Sequence, residues 1–193
     1  MPVLIVKPKK PELVKGWYEI GGKRIFFKSG WEAKFAFFLQ WLLRYGLIQA
    51  WDYEPEEFWF EGVKRGTVTY KPDFRVLMAS GAPVWVEVKG YMTRRSIVQC
   101  RRFMKEYGAL PFCMVDAPWF RKWGYVDWRL KEAPTELEKK IFLKTLEPNK
   151  EYMDKKIKKV KEQNDKKMNK LIEEDKKRDK EMEQCEKSKK KKK

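Results

Sequence analysis

Histidine is absent from all 193 residues. That absence excludes imidazole metal ligands, imidazole general bases and Ser-His-Asp triads, and leaves carboxylates and lysine to carry any acid–base or metal chemistry. Cysteine is scarce. Cys100, Cys113 and Cys185 show no paired metal-type spacing, and their odd number suits reduced thiols in an intracellular compartment better than a disulfide framework. Long apolar runs are missing as well. The segment PVLIVKPKK holds only four consecutive apolar residues, too few for a signal peptide, and nothing reaches the roughly 20 residues of a membrane span. No membrane partner is expected, and no internal repeat is visible.

Negative charge is the other deficit. Against 28 Asp and Glu stand 45 Lys and Arg, a net charge of +17, which favours a polyanionic partner, nucleic acid before an anionic lipid surface. Residues 150–193 hold nineteen bases and eleven acids, so the first 149 residues are also basic, at +9. All nine tryptophans lie between Trp17 and Trp128. The expected organisation is a globular domain over 1–133, a docked helix or linker over 134–149, and a Lys/Glu-rich tail over 150–193, helical to disordered.

Within the domain, WYEIGGKRIFF (17–27) is a hairpin signal around Gly21-Gly22. Residues 29–46 read as a helix, with Ser29 as cap, Gly46 as stop and an apolar stripe at Trp31, Phe35, Phe38 and Leu42. Strands are expected at Ile48–Tyr53, Glu57–Phe60, Phe74–Leu77, Pro83–Lys89 and 110–116, with a basic helix from Thr93 to about Tyr107 before the last. Leu137, Ile141 and Phe142 suggest one more docked helix, whereas residues 118–130 carry no clear assignment. The order implies an α+β, or mixed α/β, domain with a central mixed sheet flanked by helices.

The segment YKPDFRVLMASGAPVWVEVK (70–89) sets three charges into two apolar strands. Side chains alternate in a strand, so Trp85, Glu87 and Lys89 share one face and Val84, Val86 and Val88 the other. A turn at Ser80-Gly81 would return the strand opened by Asp73 beside Glu87. Two carboxylates and an ammonium converging at one sheet end suit Mg²⁺, which binds few protein oxygens and takes the rest from water and phosphate. The matching chemistry is metal-assisted phosphodiester hydrolysis, with Asp73, Glu87 and the Val88 carbonyl as ligands and Lys89 as donor near the attacking oxygen. The plainer alternative is a solvent-facing edge strand with Asp73 capping a turn, which the apolar flanks disfavour.

This pattern resembles the PD-(D/E)XK nuclease superfamily: Pro72-Asp73 matches the PD, and Glu87-Val88-Lys89 the ExK. Together with the helix-borne Ser29-Gly30-Trp31-Glu32, Asp73-Phe74 and Val86–Gly90, it is similar to phage endonucleases of the endonuclease I-like, Holliday-junction-resolving type. The resemblance covers roughly residues 20–116. It implies a restriction-endonuclease-like core, Mg²⁺ with Mn²⁺ as substitute, catalytic and metal-site roles for Glu32, Asp73, Glu87 and Lys89, cleavage of branched DNA leaving 5′-phosphates, and a phage or viral source acting in the host cytoplasm. A homodimer is the assembly such branch recognition would use. A restriction-like nuclease without branch preference and a non-cleaving DNA-binding protein are the alternatives. Glu32 itself has two readings, a metal-site carboxylate on the inward stripe or the Glu of a Ser29-x-x-Glu32 capping box.

Contacts to DNA phosphates are expected from the basic helix through Arg94, Arg95, Gln99, Arg101, Arg102 and Lys105. Arg95, Gln99 and Arg102 fall on one face, and Ile97, Cys100, Met104 and Tyr107 on the other. Lys64 and Arg65, in the Gly-flanked turn GVKRG, are candidates for reaching into or along a groove. Trp119 and Trp123 could stack on bases, but completing the core is the expected role.

Overall fold

In the computed structural model, which describes residues 13–63 and 66–190, the chain opens with the expected hairpin. Strands β1 (Gly16–Ile20) and β2 (Lys23–Phe27) pair antiparallel around Gly21 and Gly22. Both glycines adopt positive φ, +59° and +77°, as a tight two-residue turn requires. Helix α1 (Gly30–Arg44) follows, capped by the Ser29 side chain and closed at Gly46, where the Leu47 N–H returns to the Leu42 carbonyl. Gly30 is needed for space: a Cβ there would sit 1.8 Å from the Leu13 carbonyl oxygen.

Four strands form the central sheet, β3 (Ile48–Tyr53), β6 (Phe74–Met78), β7 (Pro83–Lys89) and β8 (Phe112–Asp116), in the order β3-β6-β7-β8. The first two pairings are antiparallel and β7–β8 is parallel, joined across helix α2 (Arg94–Glu106). Strand β7 is buried along nearly its whole length, so Glu87 is no edge-strand residue. The expected strand at 57–60 shrinks to β4 (Phe58–Trp59), which pairs with β5 (Thr69–Tyr70) in a small ladder outside the main sheet.

Alternation along the strands builds two apolar layers. Val84, Val86, Val88, Cys113 and Val115 join Phe35, Phe38, Leu39 and Leu42 of α1 in one core. On the other face Phe58, Tyr70 and Phe112 surround Phe103 of α2, at ring-centroid distances of 4.9, 5.2 and 5.1 Å. Phe103 is thus the centre of the buried α2 face, with Met104 and Tyr107 only half-buried beside it.

Residues 118–130, unassigned from sequence, begin as helix α3 (Ala117–Trp123), and their aromatics complete the α1 core. Trp119 packs on Phe35 and Phe38, and Trp123 on Phe142, so neither is a free stacking platform. The docked helix is α4 (Glu136–Lys144). It buries Phe142 and, just beyond its end, Leu146, but Leu137 is 68% exposed. Leu137 lies five residues before Phe142, about 140° around the helix, and so faces away from that stripe.

By contacts the chain divides into two units, Met1–Lys150 and Glu151–Lys193. The tail is helical, α5 spanning Lys150–Lys190, and its described side chains from 161 to 174 are almost all exposed. Among the described residues no helix is long and apolar enough to cross a membrane.

Candidate active site

The β6–β7 register decides where the charges fall. Phe74 pairs with Val86 and Arg75 with Trp85; continued by one step, the same register sets Asp73 opposite Glu87 on the α2 side. Residues facing each other in an antiparallel pair project the same way. Asp73 and Glu87 are both buried, at 8% and 2% exposure. Each is anchored. Asp73 Oδ2 accepts the Val88 backbone N–H at 2.7 Å, and Glu87 Oε2 accepts the Tyr70 hydroxyl at 2.7 Å. Lys89 Nζ forms an ion pair with Glu87 Oε1. Asp73, Glu87 and Lys89 therefore meet at one end of the sheet.

Glu32 reaches the same end from the α1 layer, and its charge acts on both Asp73 and Glu87. It is 8% exposed and takes three donors. The Ser29 hydroxyl donates to Oε1 at 2.7 Å, and the Lys28 backbone N–H and the Tyr53 hydroxyl donate to Oε2 at 3.0 and 2.6 Å. Ser29 Oγ in return accepts the Glu32 N–H at 3.2 Å. The cap and the inward carboxylate are therefore one group: the side chain that ties down the start of α1 also contributes its charge to the cluster.

Among the described residues, Glu32, Glu54, Asp73 and Glu87 gather around Lys28 and Lys89, a local concentration of negative charge inside a chain of net +17. Burial, and then the neighbouring Glu87, push the Asp73 carboxyl well above its ordinary range, against the opposing pull of Lys89 and the Val88 N–H. Burial also raises Glu87, while Lys89 and Tyr70 hold it down. For Lys89 burial disfavours the charge, but Glu87 and Asp73 more than offset it, and the ammonium is held more firmly than usual. Burial raises the Tyr70 hydroxyl strongly and takes Cys100, 3.9 Å from it, up to about 12, so both stay protonated.

A carboxylate pair that burial drives toward protonation is relieved by a cation. Among the described residues no three Asp, Glu, Cys or His side chains are arranged to hold a metal together. Asp73 and Glu87 can supply two hard oxygens, which fits a small divalent ion that completes its shell with water and phosphate. Glu32, committed to three donors, can act on that shell by charge.

The two tyrosines carried no sequence signal. Tyr53 and Tyr70 satisfy Glu32 and Glu87 through contacts across 21 and 17 residues. Asp116, at 4% exposure, was also not foreseen; it sits in register with Lys89 where β8 ends. On α2, Arg94, Arg95, Arg101 and Lys105 are exposed. Gln99 and Arg102 instead donate to the carbonyls of Thr69 and Thr67, fastening the segment that leads into β5. One donor of each is thus used inside the fold, and both side chains stay half-exposed. Lys64 and Arg65 lie outside the described residues.

Comparison with known proteins yields no matching family model, no matching curated protein and no matching solved structure.

Proposed function

We propose that the chain is a metal-dependent DNA endonuclease with a PD-(D/E)XK-type, restriction-endonuclease-like core, directed at branched DNA. The observation that carries this reading is the meeting of buried Asp73 and Glu87 with Lys89 at one sheet end, the two carboxylates held by separate donors and Lys89 ion-paired to Glu87. A purely structural ion pair would not need a second buried carboxylate beside it. The excess of basic residues, and the exposed Arg94, Arg95, Arg101 and Lys105 on α2, supply phosphate contacts around an otherwise acidic centre.

In this reading Mg²⁺, for which Mn²⁺ could substitute, would supply an acidified water and positive charge to offset that of the phosphate. Asp73 and Glu87, with the Val88 carbonyl, are the residues that would hold it. The Val88 N–H and the Tyr70 hydroxyl keep the two carboxylates oriented before substrate arrives. Lys89, kept protonated by its acidic neighbours, donates to the oxygen that attacks or to the charge that builds on the phosphorus centre. Water adds to phosphorus, the bond to the 3′ oxygen breaks, and the products carry a 5′-phosphate and a 3′-hydroxyl.

Cleavage of a labelled four-way junction in Mg²⁺, in Mn²⁺ and in EDTA, with a matched linear duplex alongside, tests the proposal. Metal-dependent cutting of the junction in preference to the duplex is expected. Equal cutting of both would assign a general nuclease. Binding without metal-dependent cutting would assign a DNA-binding protein instead.

A further inference from the structure

A hollow of about 400 Å³ lies between α1 and α3, lined by Trp31, Lys34, Phe120, Arg121 and Tyr125 among others. The Trp31 ring stacks on Phe120, with centroids 4.2 Å apart and planes 29° from parallel. Its own environment is only half-buried, so part of the indole remains open. Tyr125 stands 60% exposed. The lining holds two cations and no carboxylate, and among the described residues neither Lys34 nor Arg121 is taken up in an ion pair.

Its position ties it to the site. Trp31 precedes Glu32, and a Cβ built on Gly90, the residue after Lys89, would lie 3.4 Å from the Trp31 ring. Ala117, also in the lining, follows Asp116, which is the β8 partner of Lys89. Hollow and carboxylates therefore share the C-terminal end of the parallel pair β7–β8, where open sheets of this kind receive ligands.

We infer that this hollow holds one unpaired nucleotide of the DNA strand, the base against Trp31 and Tyr125 and the phosphate between Lys34 and Arg121. The inference rests on the endonuclease reading and names the feature of DNA that such an enzyme would seek. A base inside a duplex has both faces covered by its neighbours, so an aromatic wall can stack only on one released from pairing. A space at the lower end of the 300–1,000 Å³ range of ligand pockets, roughly, admits one nucleotide and not a base pair. Two cations that line the same hollow as Trp31 and Tyr125, and that form no ion pair among the described residues, fit a phosphate carried beside its base.

The test is anisotropy of a labelled duplex and of the same duplex carrying a short unpaired flap, in EDTA so that nothing is cut. A 2-aminopurine in the flap reports stacking by quenching. The parent protein should bind the flapped DNA about tenfold more tightly than the duplex, the scale of a stacking contact, and quench the probe. Arg121→Glu combined with Tyr125→Ala should abolish the preference and the quench while duplex binding stays within about twofold, since both side chains are exposed and neither is hydrogen-bonded to the carboxylates among the described residues. Lys34→Glu is the second variant, should the first melt early. Equal losses on both DNAs, or unchanged flap preference, would overturn the inference. Because binding is read without metal, failure of Mg²⁺-dependent cleavage leaves this result standing, and junction cleavage without flap preference sinks the nucleotide pocket alone.

Discussion

Asp73 Oδ2 accepts the Val88 backbone N–H at 2.7 Å, so one carboxylate is hydrogen-bonded to the strand that carries the other. The bond fixes the spacing of the two acids without a third side chain. It also means that the charge and the hydrogen bond of Asp73 can be separated by substitution.

Asp73→Asn keeps an acceptor for the Val88 N–H and removes a charge that burial and Glu87 oppose. In metal-free buffer it should melt no lower than the parent. Asp73→Ala leaves a buried N–H without its partner and should lose about 1–3 kcal/mol in denaturant titrations. Both variants, and Glu87→Ala, should bind DNA yet cut it several orders of magnitude more slowly. A near-parental rate in Mg²⁺ from any of them would remove that residue from the site.

The raised Asp73 and Glu87 carboxyls set the sign of the pH dependence. Where a carboxyl titrates higher in the folded than in the unfolded chain, the folded state holds more protons between the two values, and stability falls as pH rises through that window. Thermal melts in EDTA should show the parent losing stability relative to Asp73→Asn from the ordinary carboxylate range, near about 4, upward. Added Mg²⁺ should restore more stability at high pH than at low pH, because the carboxylates must be deprotonated to bind it. A parent–variant difference that does not change with pH would contradict this.

For Glu32 the discriminating set is Glu32→Gln, Ser29→Ala and Tyr53→Phe. Gln can accept from one donor and donate to Ser29 or Tyr53, so its stability cost should stay near about 1 kcal/mol. Its cleavage rate should nevertheless fall sharply, with a raised Mg²⁺ requirement, because its charge on Asp73 and Glu87 is gone. Ser29→Ala weakens the cap and leaves that charge in place, and should cost about 1 kcal/mol of stability with little loss of rate. If Glu32→Gln cuts normally, the side chain serves the helix end alone.

Removing residues 161–193 takes away fourteen Lys and Arg and nine Asp and Glu, from a stretch whose described side chains are almost all exposed. The melting temperature should hold. DNA affinity should weaken and fall less steeply with salt, since each neutralised phosphate adds to that slope. An unchanged slope would show that this part of the tail does not meet DNA.

Sequence alone determined which side of the sheet the charges face. Strand alternation in PVWVEVK and the Ser80-Gly81 turn were enough to bring Asp73, Glu87 and Lys89 together, because both signals are local and of fixed period. The capping pattern around Ser29 and the stop at Gly46 likewise delimited α1. What those charges rest against was decided by tertiary structure. Nothing in the local sequence marked Tyr53 or Tyr70 until the packing of the sheet brought their hydroxyls to Glu32 and Glu87. Gln99 and Arg102 looked like solvent-facing donors until the β5 segment came within their reach. Trp31 and Tyr125, separated by most of the domain in sequence, share one hollow only because α1 and α3 meet over the core. Periodicity assigns a side chain to a face of its own element; the partner across that face comes from another part of the chain, and the packed core selects it.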